Sequence, residues 1–468
     1  MKKIILPLAV FMFTACSGDA PDQGKDTHAS VYDRASTDVK IVDWVQAELQ
    51  AGKTISYVNA LDDVAADFVQ LALHMGRHDP NFVDAYHGPS IWADQAKTLE
   101  PNAQQLTNDI ATLRKRLGNI TPQDAQGKTR KSQLSKSLRA MATRLSVVTG
   151  ETVSFDTEVS FIYDIAPPVY DLSTYDKILH EIDMLLPGKG DRADRVTNFR
   201  NSLAIPKDKL QPVFERAIAE CRARTMKHFD LPKGEKFNME FVNDKPWSGY
   251  NYYQGKFESL IQINTDFPII IDRAVDLGCH EGYPGHHVWN LFVEQELVQN
   301  RGWIEYSVQP LFGPFGPIAE GSGNFGIKLA FPNSEKIEFE RDVLFPMAGL
   351  DPSKAETLEK LNALTGKLAH ATNEISRQYL DGHLTREQAI PLIRKYYLAS
   401  MKKSEQRLRF VETYRGYVVN YNIGQDLAAS YVKSAGDAPK QQWSAFYKML
   451  TTPMTASDLI AAQDISGK

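Results

Sequence analysis

Apolar residues in the first half of the chain recur every three to four positions, the spacing of a single buried helical face. The clearest run consists of Leu61, Val64, Ala65, Phe68, Leu71, Ala72 and Met75. Similar patterns predict successive amphipathic helices over 38–150, 173–186 and 206–228. Helical patterning resumes at Pro268 and continues through 353–380, 385–400 and 403–414. The sequence therefore predicts a mainly α protein.

The pattern changes near Phe237, where apolar and polar residues begin to alternate. Phe237, Met239 and Phe241 point to one face of a strand, and 249–253 and 257–264 follow with the same period of two. These runs predict a small antiparallel β-sheet inserted among the helices. We therefore expect an N-terminal helical lobe over 36–235 and a second lobe over 236–468.

The N-terminus has the pattern of an export signal. Lys2 and Lys3 precede an apolar run to Ala15, and Cys16 follows at once. The run is shorter than the ~20 apolar residues needed to span a bilayer. We predict a lipoprotein signal peptide over 1–15, lipidation at Cys16 and a flexible tether over 16–35. The alternative is an ordinary secretory signal with an incidental cysteine.

Ser17 after the cysteine favours a lipid anchor in the outer membrane, facing the periplasm, if the host is Gram-negative. Charged residues make up 24% of the 468 residues, with a net charge of -5. This composition is typical of a globular protein and gives no reason to expect a nucleic-acid partner. Only Cys221 and Cys279 follow Cys16, which excludes a disulfide scaffold. We expect Cys221 to be a small buried hydrophobe and Cys279 to line the wall of a site.

One run carries candidate chemistry: His280-Glu281-Gly282-Tyr283-Pro284-Gly285-His286-His287. A His-Glu pair followed by more histidines suggests zinc with an adjacent general base. In an unbroken helix, His286 would lie about 9 Å along the axis from His280. Both could not then bind one zinc with bonds of about 2.0–2.1 Å. Pro284 and Gly285 break the helix, and the bend leaves both His286 and His287 open as the second ligand. The alternative is a helix end with exposed histidines.

Glu320 is the best candidate for a third ligand, because Pro317 predicts the start of a second helix just before it. Its alternative role is a first-turn carboxylate favoured by the helix dipole. His74 and His78 also have ligand spacing, but cations near a helix C-terminus are favourable without metal.

These runs together resemble the domain of unknown function 885 family, whose members carry His-Glu-x-x-Pro-Gly-His-His and then a Glu-Gly helix. The segments 249–253, Ile263-Asn264 and 417–424 also resemble family segments, and the likeness covers about 35–460. Here Ser322-Gly323 follows Glu320-Gly321, where the family has Trp-Ala. This difference from the family changes the wall of the site, whereas Glu320 itself is present.

The resemblance implies a zincin-like helical body, with the small antiparallel sheet beside the metal site and catalysis in the lobe over 236–468. The implied zinc ligands are His280, His286 and Glu320, with Glu281 as base and His287 as a supporting or alternative ligand. Tyr421 is the implied hydrogen-bond donor to the reacting carbonyl, with Tyr417 as its rival. We expect further substrate contacts from Tyr250, Asn264 and Tyr417.

The function that this implies is a zinc-dependent hydrolase, a metallopeptidase that cleaves peptide bonds with metal-activated water. Glu281 would be the general base, and the strand 257–264 would hold an extended peptide substrate as an edge strand does. Two alternatives stay open. One is a zinc amidase or esterase, and the other is a non-catalytic, lipid-anchored helical binding protein with a degenerate metal site.

Overall fold

The computed structural model describes residues 59–466, and the side chains of residues 59–463. The signal peptide over 1–15, the tether over 16–35 and the lipidated Cys16 lie outside these residues. They remain predictions, as does the lobe boundary near 235.

Most of the described residues are helical. The α-helices are Ala60–His78, Ser90–Thr98, Ala103–Gly118, Ala125–Val148, Phe155–Tyr163, Asp176–Leu185, Arg192–Asn201, Leu210–Thr225, Arg273–Leu277, His286–Phe292, Gly316–Ala330, Glu335–Phe339, Phe345–Ala348, Ala355–Lys367, Ala369–Leu380, Arg386–Tyr397, Met401–Tyr414, Val419–Ser434, Pro439–Thr451 and Ala456–Ser466. Three π-helical segments, Gly278–Gly282, Val293–Gln299 and Glu340–Leu344, adjoin them. Among the helices that the structure describes, none is long and apolar enough to cross a membrane.

The helix Ala60–His78 shows how local chemistry sets these elements. The Asn59 side chain accepts hydrogen bonds from the first backbone N–H groups, which caps the helix. Asp62 and Asp63 lie in the first turn and His78 in the last, as the helix dipole favours. The predicted apolar face is buried along its whole length. His74 and His78 join no group of three metal-ligating side chains among residues 59–463.

Within residues 59–466, five strands form two small sheets. Strand β1 (Val83–Tyr86) pairs antiparallel with β5 (Val308–Pro310). The other sheet contains β2 (Lys236–Val242), β3 (Gly249–Gly255) and β4 (Glu258–Asn264) in the order β2-β4-β3. The mainly α fold with a small sheet is therefore confirmed.

The strand pairing differs from the prediction in one respect. Strands β3 and β4 form an antiparallel hairpin, but β2 pairs with β4 in parallel. The link between β2 and β3 spans the end of β4, so β2 and β4 run in the same direction. Strand β4 is therefore central, and the prediction that 257–264 is an edge strand was wrong.

The core consists mainly of two large buried clusters. One combines apolar residues from 61–196 with others from 304–312 and 361–423. The second combines residues from 203–358 with others from 428–459. Tyr417 belongs to the first cluster, whereas Ile318 and Phe325, on the helix of Glu320, belong to the second. The predicted site therefore lies where the two clusters meet.

Candidate metal centre

A tight bend follows His280. The π-helical turn Gly278–Gly282 ends there, and the Gly285 N–H donates to the Cys279 carbonyl oxygen over 3.0 Å. A Cβ on Gly285 would lie only 1.8 Å from the His280 carbonyl oxygen, so a side chain at 285 would prevent the bend. A new helix begins at His286, and the ring centroids of His280 and His286 lie 4.6 Å apart.

The three predicted ligands converge. The helix Gly316–Ala330 brings Glu320 to the bend, where its Oε2 lies 3.2 Å from His280 Nε2 and 3.8 Å from His286 Nε2. One ligand atom from each residue lies within 4.8 Å of the others. Among the described side chains, this is the one group of three found close enough to hold a metal ion.

The geometry of this group fits a metal ion. Two ligands bound tetrahedrally to zinc at about 2.0–2.1 Å lie about 3.4 Å apart, close to the separations of the carboxylate oxygen from the two imidazoles. Glu320 Oε2 is buried and accepts no hydrogen bond from the part of the chain that the structure describes. A cation between the three side chains would satisfy this oxygen, as buried polar atoms require.

Negative charge dominates the electrostatics of the site. Burial lowers the pKa of His286, but Glu320, Glu281 and Asp84 outweigh it and raise that pKa to about 9. Burial raises the pKa of Glu320, whereas the adjacent His280 and His286 hold it well below its usual range. The site therefore attracts positive charge, and a metal ion would compete with a proton for His286.

Tyr417 orients the carboxylate of Glu320. Its hydroxyl donates a 2.5 Å hydrogen bond to Glu320 Oε1, which leaves Oε2 facing the histidines. Burial and the charge of Glu320 raise the pKa of Tyr417, so the hydroxyl keeps its proton. Tyr417 also lines the cavity, so its predicted contact with substrate stays a prediction beside this contact with Glu320.

Two glycines bring the helix of Glu320 against Val419–Ser434. A Cβ on Gly321 would lie 2.2 Å from the Gly424 carbonyl oxygen, and one on Gly424 would lie 2.3 Å from the Pro317 carbonyl oxygen. The two backbones therefore touch at these positions. This close contact explains why the segment 417–424 ends in glycine. The contact also places Tyr417, in the same segment, over Glu320.

Glu281 lies beside the cluster of His280, His286 and Glu320, which we call the metal group. It is 4% exposed and lines the same cavity as His280 and His286. A Cβ on Gly249 of β3 would lie 3.0 Å from Glu281 Oε1, so the strand backbone lies against this carboxylate. The Asn251 Nδ2 donates to the Glu281 carbonyl oxygen over 2.7 Å. Strand β3 therefore holds the backbone of Glu281 and packs against its carboxylate.

His287 does not join the metal group. It is fully buried, with Nε2 3.0 Å from Glu235 Oε2 and Nδ1 2.8 Å from Ser259 Oγ. Because neighbouring residues at a helix start point in different directions, His287 faces the sheet while His286 faces His280. The structure therefore places His287 outside the group of His280, His286 and Glu320, with Glu235 and Ser259 as its partners.

The remaining predicted contacts divide into two groups. Tyr421 lines the cavity, and the charge of Glu320 together with burial raises its pKa well above the usual value. Tyr250 also lines the cavity and packs against the Trp247 and Tyr252 rings. Asn264 lines the cavity too, but its Nδ2 donates to the carbonyl oxygens of Lys245 and Trp247. These bonds favour a role for Asn264 in holding the loop.

Cys221 and Cys279 form a disulfide, so the prediction of two separate thiols was wrong. The helix Leu210–Thr225 packs closely against the π-helical turn, where a Cβ on Gly278 would lie 3.1 Å from Ile218 Cγ1. This packing brings together cysteines 58 residues apart. A signal existed in the sequence, since two cysteines in an exported chain favour pairing.

Asp84 is a residue of the site that the sequence did not reveal. It lies in β1 and lines the cavity, and its Oδ1 is buried without a hydrogen bond from residues 59–463. Burial raises its pKa to about 7, with His286 lowering it and Glu320 and Glu281 adding to the rise. Its position depends on the pairing of β1 with β5, and no local motif indicates it.

This chain has only limited similarity to known proteins. No protein-family model and no curated protein matches the chain. A solved structure from Colwellia psychrerythraea, provisionally classed as a lipoprotein, has 14% identity and a TM-score of 0.48, covering 78% of this chain and 67% of its own. One from Shewanella oneidensis, provisionally classed as a lipoprotein of unknown function, has 14% identity and a TM-score of 0.43, covering 78% and 71%.

A third solved structure, described as BsuCP, has 12% identity and a TM-score of 0.39, covering 87% of this chain and 97% of its own. These identities and TM-scores support no argument about activity. Membership in the domain of unknown function 885 family, and the zincin-like assignment, therefore remain predictions.

Proposed function

We propose that this chain is a zinc-dependent hydrolase that cleaves peptide bonds. The observation that carries the proposal is the convergence of His280, His286 and Glu320 beside the buried carboxylate of Glu281. Two histidines and one glutamate form a donor set of catalytic zinc sites, which keep a fourth position open. The group opens into a cavity of about 1400 Å³, large enough for a peptide segment.

When bound, zinc lowers the pKa of water and polarises a carbonyl group. The other steps belong to residues of the chain. Glu281 takes a proton from the attacking water as its oxygen bonds to the carbonyl carbon, and returns it to the amine nitrogen as the C–N bond breaks. Tyr421 keeps its hydroxyl proton and donates to the carbonyl oxygen as negative charge develops there.

A peptide substrate is supported by strand β3. This strand is an outer strand of its sheet, and its first residue, Gly249, lies against Glu281. An extended peptide added along such an edge would pair with backbone groups next to the proposed base. This arrangement replaces the predicted role of 257–264, which lies in the centre of the sheet.

The test combines metal analysis with one variant. The purified protein should contain one zinc per chain and hydrolyse members of a peptide library. Glu281→Gln should retain zinc and lose about 10²–10⁴-fold in turnover. Glu356→Gln, at an exposed position, is the matched control and should keep full activity.

Zinc-loaded protein that cleaves esters or simple amides but no peptides would indicate an amidase or esterase. Zinc-loaded protein that cleaves none of these would contradict the hydrolase and favour a binding protein. Undiminished hydrolysis by Glu281→Gln would remove Glu281 from the mechanism.

The proposed location is the periplasmic face of the outer membrane, through a lipid on Cys16. This rests on the sequence alone. Cys16→Ala should move the protein from the membrane fraction to the soluble fraction. Wild-type protein recovered in the soluble fraction with Cys16 unmodified would contradict the anchor.

A further inference from the structure

Several basic side chains line the same cavity as the metal group, and four of them lie near the ring of Tyr397. These four are Arg200, Arg273, Lys403 and Arg407. We call these four residues the basic wall. Burial raises the pKa of Tyr397, yet the charges of Lys403, Arg407, Arg273 and Arg200 lower it overall. The hydroxyl of Tyr397 therefore lies in a region of positive potential.

The basic wall is poor in carboxylate partners. Arg200 donates to the neutral oxygens of Asn362 and Thr365. Among residues 59–463, no carboxylate lies within 4.0 Å of the charged nitrogens of Arg200, Lys403 or Arg407, and Arg273 has only Asp276 at 3.5 Å. The Nε of Arg407 is buried and donates no hydrogen bond to any residue in that range.

A buried donor without an acceptor is costly, and a guanidinium group is well suited to bind a carboxylate through two parallel hydrogen bonds. Arg407 is held in place by the Phe410 and Tyr397 rings, at 5.1 Å and 5.7 Å from the guanidinium carbon. Its orientation is therefore set before any ligand binds, which lowers the entropic cost of binding.

A row of aromatic rings connects Arg407 with the metal group. Phe410, in contact with Arg407, has its ring centroid 6.3 Å from that of Tyr421, which lies 5.7 Å from that of Tyr417. The Tyr417 hydroxyl bonds to Glu320. The two ends of this row present opposite charges to one cavity, with carboxylates beside the histidines and cations around Tyr397.

We propose that the basic wall binds a carboxylate of the substrate, with Arg407 as its principal contact. This inference rests on the proposed peptidase function and narrows its substrate class to peptides with a carboxylate near the cleaved bond. The carboxylate is either the free C-terminus, which would make the protein an exopeptidase, or an acidic side chain.

Binding measurements on Glu281→Gln protein test this without turnover. The ligands are N-acetyl-Ala-Ala, its C-terminal amide, and N-acetyl-Ala-Glu amide. A carboxylate bound by Arg407 should make at least one of the two anionic peptides bind about 10- to 100-fold more tightly than the neutral amide. Preference for the free acid identifies the C-terminus, and preference for the glutamyl peptide identifies a side chain. Equal binding of all three would overturn the inference.

Arg407→Gln should remove the preference for a carboxylate, while Arg407→Lys should keep part of it. Arg409→Gln is the matched control, since Arg409 is exposed on the same helix, and it should leave the preference unchanged. Unfolding curves check that each variant is folded. Arg407→Gln that is folded and still prefers the carboxylate would overturn the inference.

The two proposals fail separately. If the wild type hydrolyses neutral and anionic peptides equally well, the carboxylate site is wrong and the peptidase stands. If the preference in binding is present but no substrate is cleaved, the peptidase is wrong and the carboxylate site stands.

Discussion

The hydroxyl of Tyr417 holds one oxygen of the Glu320 carboxylate, at 2.5 Å, while the other oxygen faces His280 and His286. Tyr417 belongs to one buried cluster of the fold, and the helix that carries Glu320 packs into the other. Their contact depends on the close approach of two helix backbones at Gly321 and Gly424. A metal site at this point therefore depends on how the two clusters pack together.

Tyr417→Phe should weaken zinc binding without abolishing it. Loss of the hydroxyl frees the Glu320 carboxylate to rotate, and groups that orient metal ligands typically contribute about 10- to 100-fold in affinity. Competition with a chelator measures this, with unfolding curves as a check on stability. Unchanged zinc affinity in a folded variant would show that Glu320 is held by its helix alone.

The two adjacent histidines should give opposite results. His286→Ala should lose zinc, because it removes one of three ligands. His287→Ala should keep zinc but lower the free energy of unfolding of the metal-free protein by about 2–4 kcal/mol, since Glu235 and Ser259 lose their buried partner. Metal content and chemical unfolding separate the two effects. Zinc loss in a folded His287→Ala variant would restore His287 as a ligand.

Gly323→Ala should disturb the metal group by displacing the imidazole of His280. A Cβ at this position would lie 2.8 Å from His280 Nδ1, closer than a side chain tolerates, so the imidazole must shift. We expect zinc affinity to fall about tenfold or more. Gly366→Ala is the matched control. Beyond its own helical turn, no atom of the described residues lies within 4 Å of its added Cβ, and a helical alanine should raise stability by about 0.5–1 kcal/mol. Equal zinc binding by both variants would contradict this role of Gly323.

The sequence predicted the parts of the site that depend on short-range chemistry. The Pro-Gly pair after Glu281 indicated a bend, and the bend brings His286 back to His280. The apolar spacing at 61–75 predicted a helix and its buried face. In both cases, neighbours within a few residues determine the outcome.

The parts that were missed depend on contacts between distant segments. Asp84 reaches the cavity because β1 pairs with β5, more than 200 residues later in the chain. Strand β2 alternates like its neighbours, and alternation does not distinguish parallel from antiparallel pairing. The basic wall likewise combines residues from three separate helices. None of these arrangements leaves a pattern of fixed spacing in the sequence.

Tyr421→Phe should lower turnover while zinc content stays normal. Tyr421 lines the cavity, and the Asn324 Nδ2 fixes its backbone by donating to its carbonyl oxygen over 2.8 Å. The charges of Glu320 and Glu281, with burial, raise its pKa, whereas Arg407 lowers it, and the net effect keeps the hydroxyl protonated. A protonated donor near the metal group can stabilise charge that develops on a carbonyl oxygen, and loss of one such donor costs about 10²–10³ in kcat.

Steady-state kinetics on one peptide, together with metal analysis, separate this role from that of Tyr417, whose variant should lose zinc affinity first. Tyr447→Phe, at a position that is 38% exposed, is the matched control and should behave like the wild type. If Tyr421→Phe keeps full turnover, the ring of Tyr421 only packs against Phe410 and Tyr417, and the donor to the carbonyl oxygen must come from another side chain of the cavity.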